Sequence, residues 1–309
     1  MDTYLEPGSQ SHSIFTPPSP PRVRVPTGAC DCHVHLFGPF ARFPLAPGRA
    51  YTPQPALLSD LTAILDGGGI DRAVLVQPSA YGTDNACMLA ALAAEPRRLR
   101  GVAVIDAATS SEDLERMHAR GVRGVRLNLV TTGITSGAET ARLVDVVART
   151  IAPFGWHLQL FVTGAIVDAV APAILRLPVE VVFDHMGFVE AARGTAQAGV
   201  PALLELLAAG RAWVKLSGTY RVSSDVYGNP QVTALARALI AANPARVVWA
   251  SDWPHIGEHP RAVHAKPPPV AYRPIDYGRL VSVIADWADA DDIERILVRN
   301  PEQLYGFVP

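Results

Sequence analysis

The chain has little cysteine and no long apolar segment. Its 309 residues include three cysteines, Cys30, Cys32 and Cys87, which are too few for a disulfide framework and typical of a reducing compartment. No apolar run reaches the roughly 18 residues that a membrane-spanning helix needs. The N-terminal region lacks the basic start and apolar middle of a signal peptide. These absences predict a cytoplasmic protein with no membrane partner.

The chain also lacks a strong excess of either charge. It has 27 basic and 29 acidic residues, for a net charge of −2. A nucleic-acid partner is therefore not expected, because such proteins usually present a strongly positive surface. No glycine-rich phosphate loop follows an early strand, which argues against a dinucleotide-binding fold. The 49% hydrophobic composition, with 27 prolines and 24 glycines, is enough for a large core and many loops.

Residues 1–27 differ in composition from the rest of the chain. They are rich in Ser, Pro and Thr, with five prolines between positions 17 and 26. A segment of this kind has little apolar surface to bury, so it is predicted to be a flexible or surface-draped tail.

From residue 28 onward, short apolar runs alternate with amphipathic, alanine-rich stretches. The runs predict strands at 29–36, 70–77, 99–105, 122–129, 156–161, 179–185, 212–216 and 246–251. Helical patterns lie near 55–66, 84–95, 111–120, 139–152, 164–175, 199–209, 229–242, 275–288 and 290–299. Eight strands, each followed by a helix, predict that residues 28–309 form a single (β/α)8 TIM barrel. An open doubly wound sheet is the alternative fold.

The ends of these strands carry many reactive side chains. In a TIM barrel the carboxyl ends of the strands hold the active site. His33 and His35 end the first strand, His185 follows the sixth, and Asp252 follows the eighth. Each has a structural interpretation when taken alone, such as a turn or a buried pair. Their convergence on one end of a barrel predicts an active site.

Alternation along the first strand predicts which of its side chains face that site. It places Asp31, His33 and His35 on one face, and Cys30 and Cys32 on the other. The histidines are therefore expected to face a functional cavity. The cysteines are expected to pack as small apolar residues and not to join a metal site.

These motifs resemble the amidohydrolase superfamily, whose members are (β/α)8 hydrolases. Within it, the 2-pyrone-4,6-dicarboxylate lactonase group is similar over roughly residues 28–306. The phrases that carry the resemblance are DCHVHLFGP, FPLAPGRAYTP, RAVLVQPSAYGTDN, GVRLNLV, DHMG, VKLSGTYR and WASDWPH.

The resemblance implies specific roles for residues of this chain. The implied catalytic residues are His33, His35, His185 and Asp252. The implied substrate-binding residues are Tyr51, Ser79, Arg126, Arg221 and Gln159. Gln159 also stands where many metal-bound relatives have a Lys or His ligand, which argues against a two-metal site.

One departure from the group concerns substrate charge. A further basic residue for a second carboxylate is expected shortly after Arg126, but this chain has the neutral Thr131 and Thr132. A substrate with one carboxylate, or with a second one placed differently, is therefore left open.

The implied activity is hydrolysis of a carboxylated lactone such as 2-pyrone-4,6-dicarboxylate. Asp252 would deprotonate a water, while Arg126 and Arg221 hold the carboxylate. The favoured mode needs no cofactor and uses the histidines to stabilise the oxyanion. In the alternative mode His33, His35, His185 and Asp252 bind one divalent ion such as Zn²⁺.

Three other functions remain as alternatives. The first is a zinc-dependent hydrolase or decarboxylase of another small carboxylated ring compound. The second is a lactonase of sugar-acid lactones. The third is a non-catalytic protein that binds a small aromatic acid. A homo-oligomer is compatible with all of them.

Overall fold

In the computed structural model, the eight predicted strands pair in chain order as one parallel sheet. The structure describes residues 14–133, 136–258 and 267–308. The strands are β1 (Cys30–Val34), β2 (Arg72–Val76), β3 (Leu99–Ala103), β4 (Val122–Asn128), β5 (His157–Phe161), β6 (Val181–Phe183), β7 (Ala212–Leu216) and β8 (Val247–Trp249). The sheet closes where the N–H of His35 donates to the carbonyl of Trp253 at 2.9 Å. The (β/α)8 barrel is therefore confirmed.

Helices occupy the connections between the strands. The main ones are Leu58–Gly68, Ala86–Ala94, Ser111–Ala119, Gly137–Ile151, Gly164–Ile174, Val200–Ala208, Pro230–Ala242, Tyr277–Ser282 and Ala290–Glu294. The short helices Leu129–Thr132 and Thr219–Val222 follow β4 and β7, and the chain ends with a π-helical turn Arg295–Arg299 and the helix Asn300–Tyr305. In the part of the chain that the structure describes, no helix is both long and apolar enough to cross a membrane.

Two apolar layers stabilise the barrel. Alternate strand residues such as Val125, Leu158 and Val214 pack outward against the helices. The other strand positions form a second cluster with the C-terminal segment, and its members are Cys30, Cys32, Val74, Val76, Val102, Val182, Trp213, Val248, Ala250, Leu304, Tyr305 and Phe307. This inner cluster occupies the barrel interior, and the strand-end histidines and Asp252 lie at the carboxyl end of the strands.

Strand β1 departs from the alternation predicted from the sequence. Against β2, Asp31 is opposite Ala73 and Val34 is opposite Leu75, so three steps along β1 match two along β2. An extra residue of this kind is a β-bulge, which changes the face on which the following side chains lie.

Asp31 precedes the bulge and lies outside the barrel, whereas the bulge turns His33 toward the interior. The Asp31 carboxylate accepts hydrogen bonds from the Tyr277 hydroxyl in the helical layer at 3.0 Å and from the N–H of Ser251 at 3.0 Å. Cys32 and His33 both face the interior, although they are neighbours in sequence. The prediction that Asp31 shares a face with His33 is therefore wrong, because strict alternation does not hold across a bulge.

Two further segments cover the barrel. Thr52–Pro53 pairs in parallel with Pro269–Val270, which ties the long loop after β1 to the loop after β8. Ser19 donates a 2.6 Å hydrogen bond from Oγ to Asp276 in front of the helix Tyr277–Ser282. Residues 1–13 of the predicted tail lie outside the described residues.

Candidate active site

Four of the predicted catalytic residues meet at the carboxyl end of the barrel. Oδ1 of Asp252 lies 3.7 Å from Nε2 of His33, 3.6 Å from Nε2 of His35 and 3.9 Å from Nε2 of His185. All four residues are buried. These distances are too long for hydrogen bonds, so the three ring nitrogens surround the carboxylate oxygen without closing on it.

The backbone is strained at two of these residues. Asp252 has a φ of 65° and His185 a φ of 49°, in the left-handed region that residues with a side chain rarely adopt. Such conformations cost about 1–3 kcal/mol each and persist only where the surrounding structure fixes them. Here they turn both side chains inward, immediately after β8 and β6.

The two oxygens of Asp252 have different surroundings. Oδ2 accepts hydrogen bonds from the Tyr220 hydroxyl and from Nε of Arg221, both at 2.5 Å. Oδ1 is buried and has no hydrogen-bond donor among the described residues. Burial alone would raise the pKa of this carboxyl, but Arg221 and the nearby imidazoles outweigh burial and hold its pKa well below the usual value. Asp252 is therefore an ionised carboxylate with one oxygen available.

Neighbouring groups fix the protonation of two of the histidines. Nδ1 of His35 lies 2.7 Å from the carbonyl of Val76, and since a carbonyl only accepts, Nδ1 carries the proton. In the neutral ring, Nε2 of His35 therefore presents a lone pair to the site. Nδ1 of His185 lies 2.9 Å from Oγ of Ser217, and burial lowers the pKa of His185 to about 3, so this ring is neutral at pH 7.

Asp184 forms a second polar cluster below the first. Its carboxylate accepts hydrogen bonds from Nε of Arg126 at 2.9 Å and from Nε2 of Gln159 at 2.8 Å, and it lies 3.2 Å from Nδ1 of His33. Nζ of Lys215 lies 3.7 Å from the same carboxylate and donates to Gln159 Oε1 at 2.7 Å. Burial raises the pKa of Asp184, but Arg126, His33 and Lys215 outweigh burial and hold it well below its usual value.

The predicted substrate-binding residues divide into two groups. Gln159 uses its amide between Asp184 and Lys215, so it belongs to the lower cluster. Tyr51 is buried and hydrogen-bonded to Ser79, and burial raises its pKa to about 12, which keeps the phenol protonated. The charges of Arg126, Arg221 and Asp252 all act on the pKa of this phenol.

Three residues in these clusters had no assigned role in the sequence analysis. Asp184 and Lys215 lie at the ends of predicted strands, but nothing in the sequence showed that they pair with each other. Tyr220 precedes Arg221 and binds the same carboxylate oxygen, Oδ2 of Asp252. One signal in the sequence could have indicated the lower cluster. Lys215 is a charged residue in the middle of a buried strand, two positions after Trp213 and therefore on the same face.

The upper cluster consists of His33, His35, His185 and Asp252, and the lower cluster is the one around Asp184. An open cavity of about 340 Å³ lies beside the upper cluster. Its size falls in the range of small-ligand sites. The lining residues are Val130, Thr131, Phe161, Phe188, Tyr220, Arg221, Ile256, Gly257, Glu258 and Arg273. Aromatic rings beside arginines suit a flat anionic ligand. Thr131 lines this cavity, whereas the side chain of Thr132 is outside the described part of the structure.

The upper cluster fits a divalent cation. His33, His35 and Asp252 offer donor atoms that all lie within 4.8 Å of one another. Ligands about 2.0–2.2 Å from a tetrahedral zinc ion are separated by roughly 3.4 Å, and the two ring nitrogens Nε2 of His33 and His35 are 3.3 Å apart. The unpaired Oδ1 of Asp252 and the lone pair of His35 are the donors that a metal ion requires.

The chain is similar to known proteins over most of its length. A 2-pyrone-4,6-dicarboxylate hydrolase of Comamonas testosteroni is 32% identical over 301 residues, covering 94% of each chain. A 4-sulfomuconolactone hydrolase of Rhizobium radiobacter is 32% identical over 285 residues, covering 92% of each. A crystal structure from Agrobacterium tumefaciens is 29% identical with a TM-score of 0.77, covering 94% of this chain and 99% of that one. The model of the amidohydrolase family matches residues 30–307, and the chain belongs to that family.

Proposed function

We propose that this protein hydrolyses a carboxylated lactone, with 2-pyrone-4,6-dicarboxylate or a close analogue as its substrate. The observation that carries the proposal is the ionised Asp252, which turns an unpaired oxygen toward three imidazoles beside an arginine-lined cavity. The names of two relatives support it, since one hydrolyses 2-pyrone-4,6-dicarboxylate and the other 4-sulfomuconolactone.

Asp252 is the proposed general base. Tyr220 and Arg221 hold Oδ2, which leaves Oδ1 to accept a proton from a water above the barrel. The lowered pKa of Asp252 makes it a weak base while Arg221 is paired with it. When Arg221 turns part of its guanidinium to a substrate carboxylate, its stabilisation of Asp252 decreases. The pKa of Asp252 then rises, and substrate binding itself improves the base.

The oxyanion needs hydrogen-bond donors, and His33 and His185 are the proposed ones. Ser217 donating to Nδ1 of His185 would place the ring proton on Nε2, facing the cavity. Lys215 donating to Nδ1 of His33 would do the same for His33. Neutral His35 cannot donate from Nε2, since Val76 holds its proton at Nδ1. His35 therefore orients the other groups in a metal-free reaction.

A second mode uses the same residues as metal ligands. His33, His35, His185 and Asp252 would hold one divalent ion such as zinc, as the unpaired Oδ1 favours. When bound, such an ion polarises the lactone carbonyl and acidifies water. In this mode Asp184 accepts the Nδ1 proton of His33, which leaves the lone pair of Nε2 directed at the site.

Arginines and hydroxyls are the proposed substrate-binding groups. The contacts of Arg221 and Arg126 with Asp252 and Asp184 use Nε, so their terminal Nη groups are the donors for a substrate carboxylate. Tyr51 and Ser79 are proposed to bind beside them. We assign Gln159 a positioning role, because its amide links Asp184 to Lys215.

Ring opening of 2-pyrone-4,6-dicarboxylate, followed by ultraviolet absorbance with and without chelator, tests the proposal. Turnover is expected, and Asp252→Asn should reduce it by about 10² to 10⁴. Turnover that survives chelation supports the metal-free mode, and turnover restored by Zn²⁺ supports the metal mode. Release of CO₂ would indicate a decarboxylase instead. Binding without turnover across pyrone and sugar-acid lactones would overturn the proposal in favour of a binding protein.

A cytoplasmic location and the lack of a nucleic-acid partner remain predictions from the sequence. The sequence is also compatible with a homo-oligomer.

A further inference from the structure

A second arginine lies at the rim of the active-site cavity. Arg273 lines the cavity together with Tyr220 and Arg221. The guanidinium carbon of Arg273 lies 5.3 Å from the centroid of the Tyr220 ring, and that of Arg221 lies 5.1 Å from it. The two guanidinium carbons are therefore at most 10.4 Å apart. This upper limit applies if they lie on opposite sides of the ring centroid. The cavity thus has two cationic groups close to one aromatic ring.

The backbone holds Arg273 firmly beside the catalytic loop. Its N–H donates to the carbonyl of His255 at 2.8 Å, and the N–H of Gly257 donates to the carbonyl of Ala271 at 3.1 Å. Residues 271–273 and 255–257 therefore lie side by side as a short antiparallel pair. Since Asp252 begins the same loop, the position of Arg273 is tied to that of the proposed base.

Among the described residues, the ion pair of the Arg273 guanidinium with Glu258 is weak. Nη2 of Arg273 lies 3.2 Å from the carboxylate of Glu258, a side chain that is 94% exposed, so solvent screens the pair. Its Nε is buried and has no hydrogen-bond acceptor in the described part of the chain. A buried N–H of this kind is costly unless an acceptor reaches it. Arg273 is therefore able to bind an anion from the cavity.

The part of the cavity wall that Val130 and Thr131 form carries no such charge. A basic residue expected shortly after Arg126 would have stood there, but Val130 and Thr131 line the cavity instead. Neither side chain can balance a second carboxylate. Among the described residues that line the cavity, positive charge comes from Arg221 and Arg273 alone.

We propose that Arg273 is a specificity-determining residue, which binds a second anionic group of the substrate while Arg221 binds the first. This inference rests on the lactone hydrolase proposed above and specifies its substrate class. The substrate is then a ring lactone with two anionic substituents, carboxylate or sulfonate. Two guanidinium groups at most 10.4 Å apart can bind two anionic substituents of a single flat six-membered ring.

The test compares two substrates that differ by one charge, 2-pyrone-4,6-dicarboxylate and 2-pyrone-6-carboxylate. Arg273→Met should lower kcat/KM for the dicarboxylate by about 10- to 100-fold, mainly through KM, because it removes binding energy that is worth one charged contact. The monocarboxylate should change less than about threefold. The matched control is Arg279→Met, an exposed arginine on the Tyr227 ring, which should alter neither substrate.

Two further variants separate charge recognition from a structural role. Glu258→Gln removes the competing carboxylate and should lower KM for the dicarboxylate only. Thr131→Arg in the Arg273→Met background should restore part of the preference for the dicarboxylate, since it returns a cation to the cavity. Simple damage to the loop would not produce either gain, and melting temperatures check that each variant is folded.

The outcomes also separate this inference from the proposed function. Equal effects of Arg273→Met on both substrates, or no effect on either, would overturn the role of Arg273 and leave the hydrolase intact. A wild-type preference for the monocarboxylate would do the same. The proposed lactone hydrolase function would be overturned by a different result, in which the wild type opens neither pyrone nor any other lactone.

Discussion

Nζ of Lys215 lies 3.3 Å from Nδ1 of His33, inside the barrel and away from solvent. The carboxylate of Asp184 lies 3.2 Å from the same nitrogen. Lys215 donates, and so favours the ring form with the proton on Nε2, whereas Asp184 accepts and favours the proton on Nδ1. These two buried groups therefore compete to set whether Nε2 of His33 presents a hydrogen-bond donor or a lone pair to the active site.

Lys215→Met should reduce kcat with little change in KM. The variant removes the donor to Nδ1 of His33, so Asp184 takes the ring proton and Nε2 no longer donates to the lactone. Loss of such a supporting group typically costs about 10- to 100-fold. Steady-state kinetics on 2-pyrone-4,6-dicarboxylate measure kcat and KM separately. A KM effect with unchanged kcat would instead place Lys215 among the substrate-binding groups.

The pH dependence of kcat should reveal the same lysine. Burial lowers the pKa of Lys215 from its ordinary value to about 8. The ammonium is therefore present below pH 8 and is lost as pH rises above it, so kcat should fall on the alkaline side with an apparent pKa near 8. The Lys215→Met variant should lack this alkaline limb. An identical limb in both proteins would assign the titration to another group.

The lowered pKa of Lys215 also makes the stability of the protein depend on pH. The folded state holds Lys215 with a pKa of about 8, below its unfolded value, so between these values the unfolded chain binds more protons. The contribution of Lys215 to the free energy of unfolding should therefore rise with pH above about 8. Its burial is most costly below pH 8, where it is charged.

The strand pattern was predictable because each buried parallel strand is a short apolar run. The predicted run 212–216 and the observed β7 coincide, and 99–105 contains β3. The faces of β1 were not predictable, since the bulge between Asp31 and Val34 depends on pairing with β2. The partners of Asp184 could not be read from the sequence either. They come from β4, β5 and β7, and alternation shows which face a residue occupies but not which residue it meets.

Zinc should bind the upper cluster whether or not the reaction requires it. We expect Zn²⁺ to raise the melting temperature of the wild type, since ligands that bind only the folded state stabilise it by about 2.7 kcal/mol at 100 times Kd. Asp252→Asn should weaken this shift, because Tyr220 and Arg221 hold the remaining oxygen and an uncharged NH2 group, which cannot bind a metal, replaces Oδ1 between the histidines. His255→Ala is the matched control, a buried histidine in the same loop outside the cluster. Equal shifts in all three proteins would indicate zinc binding elsewhere.

Gly124 and His157 face each other across β4 and β5 in the lower half of the barrel. A Cβ on Gly124 would lie 2.4 Å from two atoms of the His157 ring, and Tyr305 packs against the same ring with centroids 5.3 Å apart. Burial lowers the pKa of His157 to about 3, so the ring is a neutral core residue at pH 7. Gly124→Ala should therefore overpack this layer and lower the free energy of unfolding by about 1–3 kcal/mol.

A double-mutant cycle distinguishes this clash from a general effect of alanine in a strand. His157→Ala empties the space that the new methyl group needs, so the double variant should lose less stability than the sum of the two single variants. Urea denaturation measures all four proteins, and the midpoint comparison is valid while the slope stays constant. Additive losses would mean that the ring already moves aside at little cost. Turnover per folded molecule should be unchanged in Gly124→Ala, since the substitution lies below the cluster around Asp184.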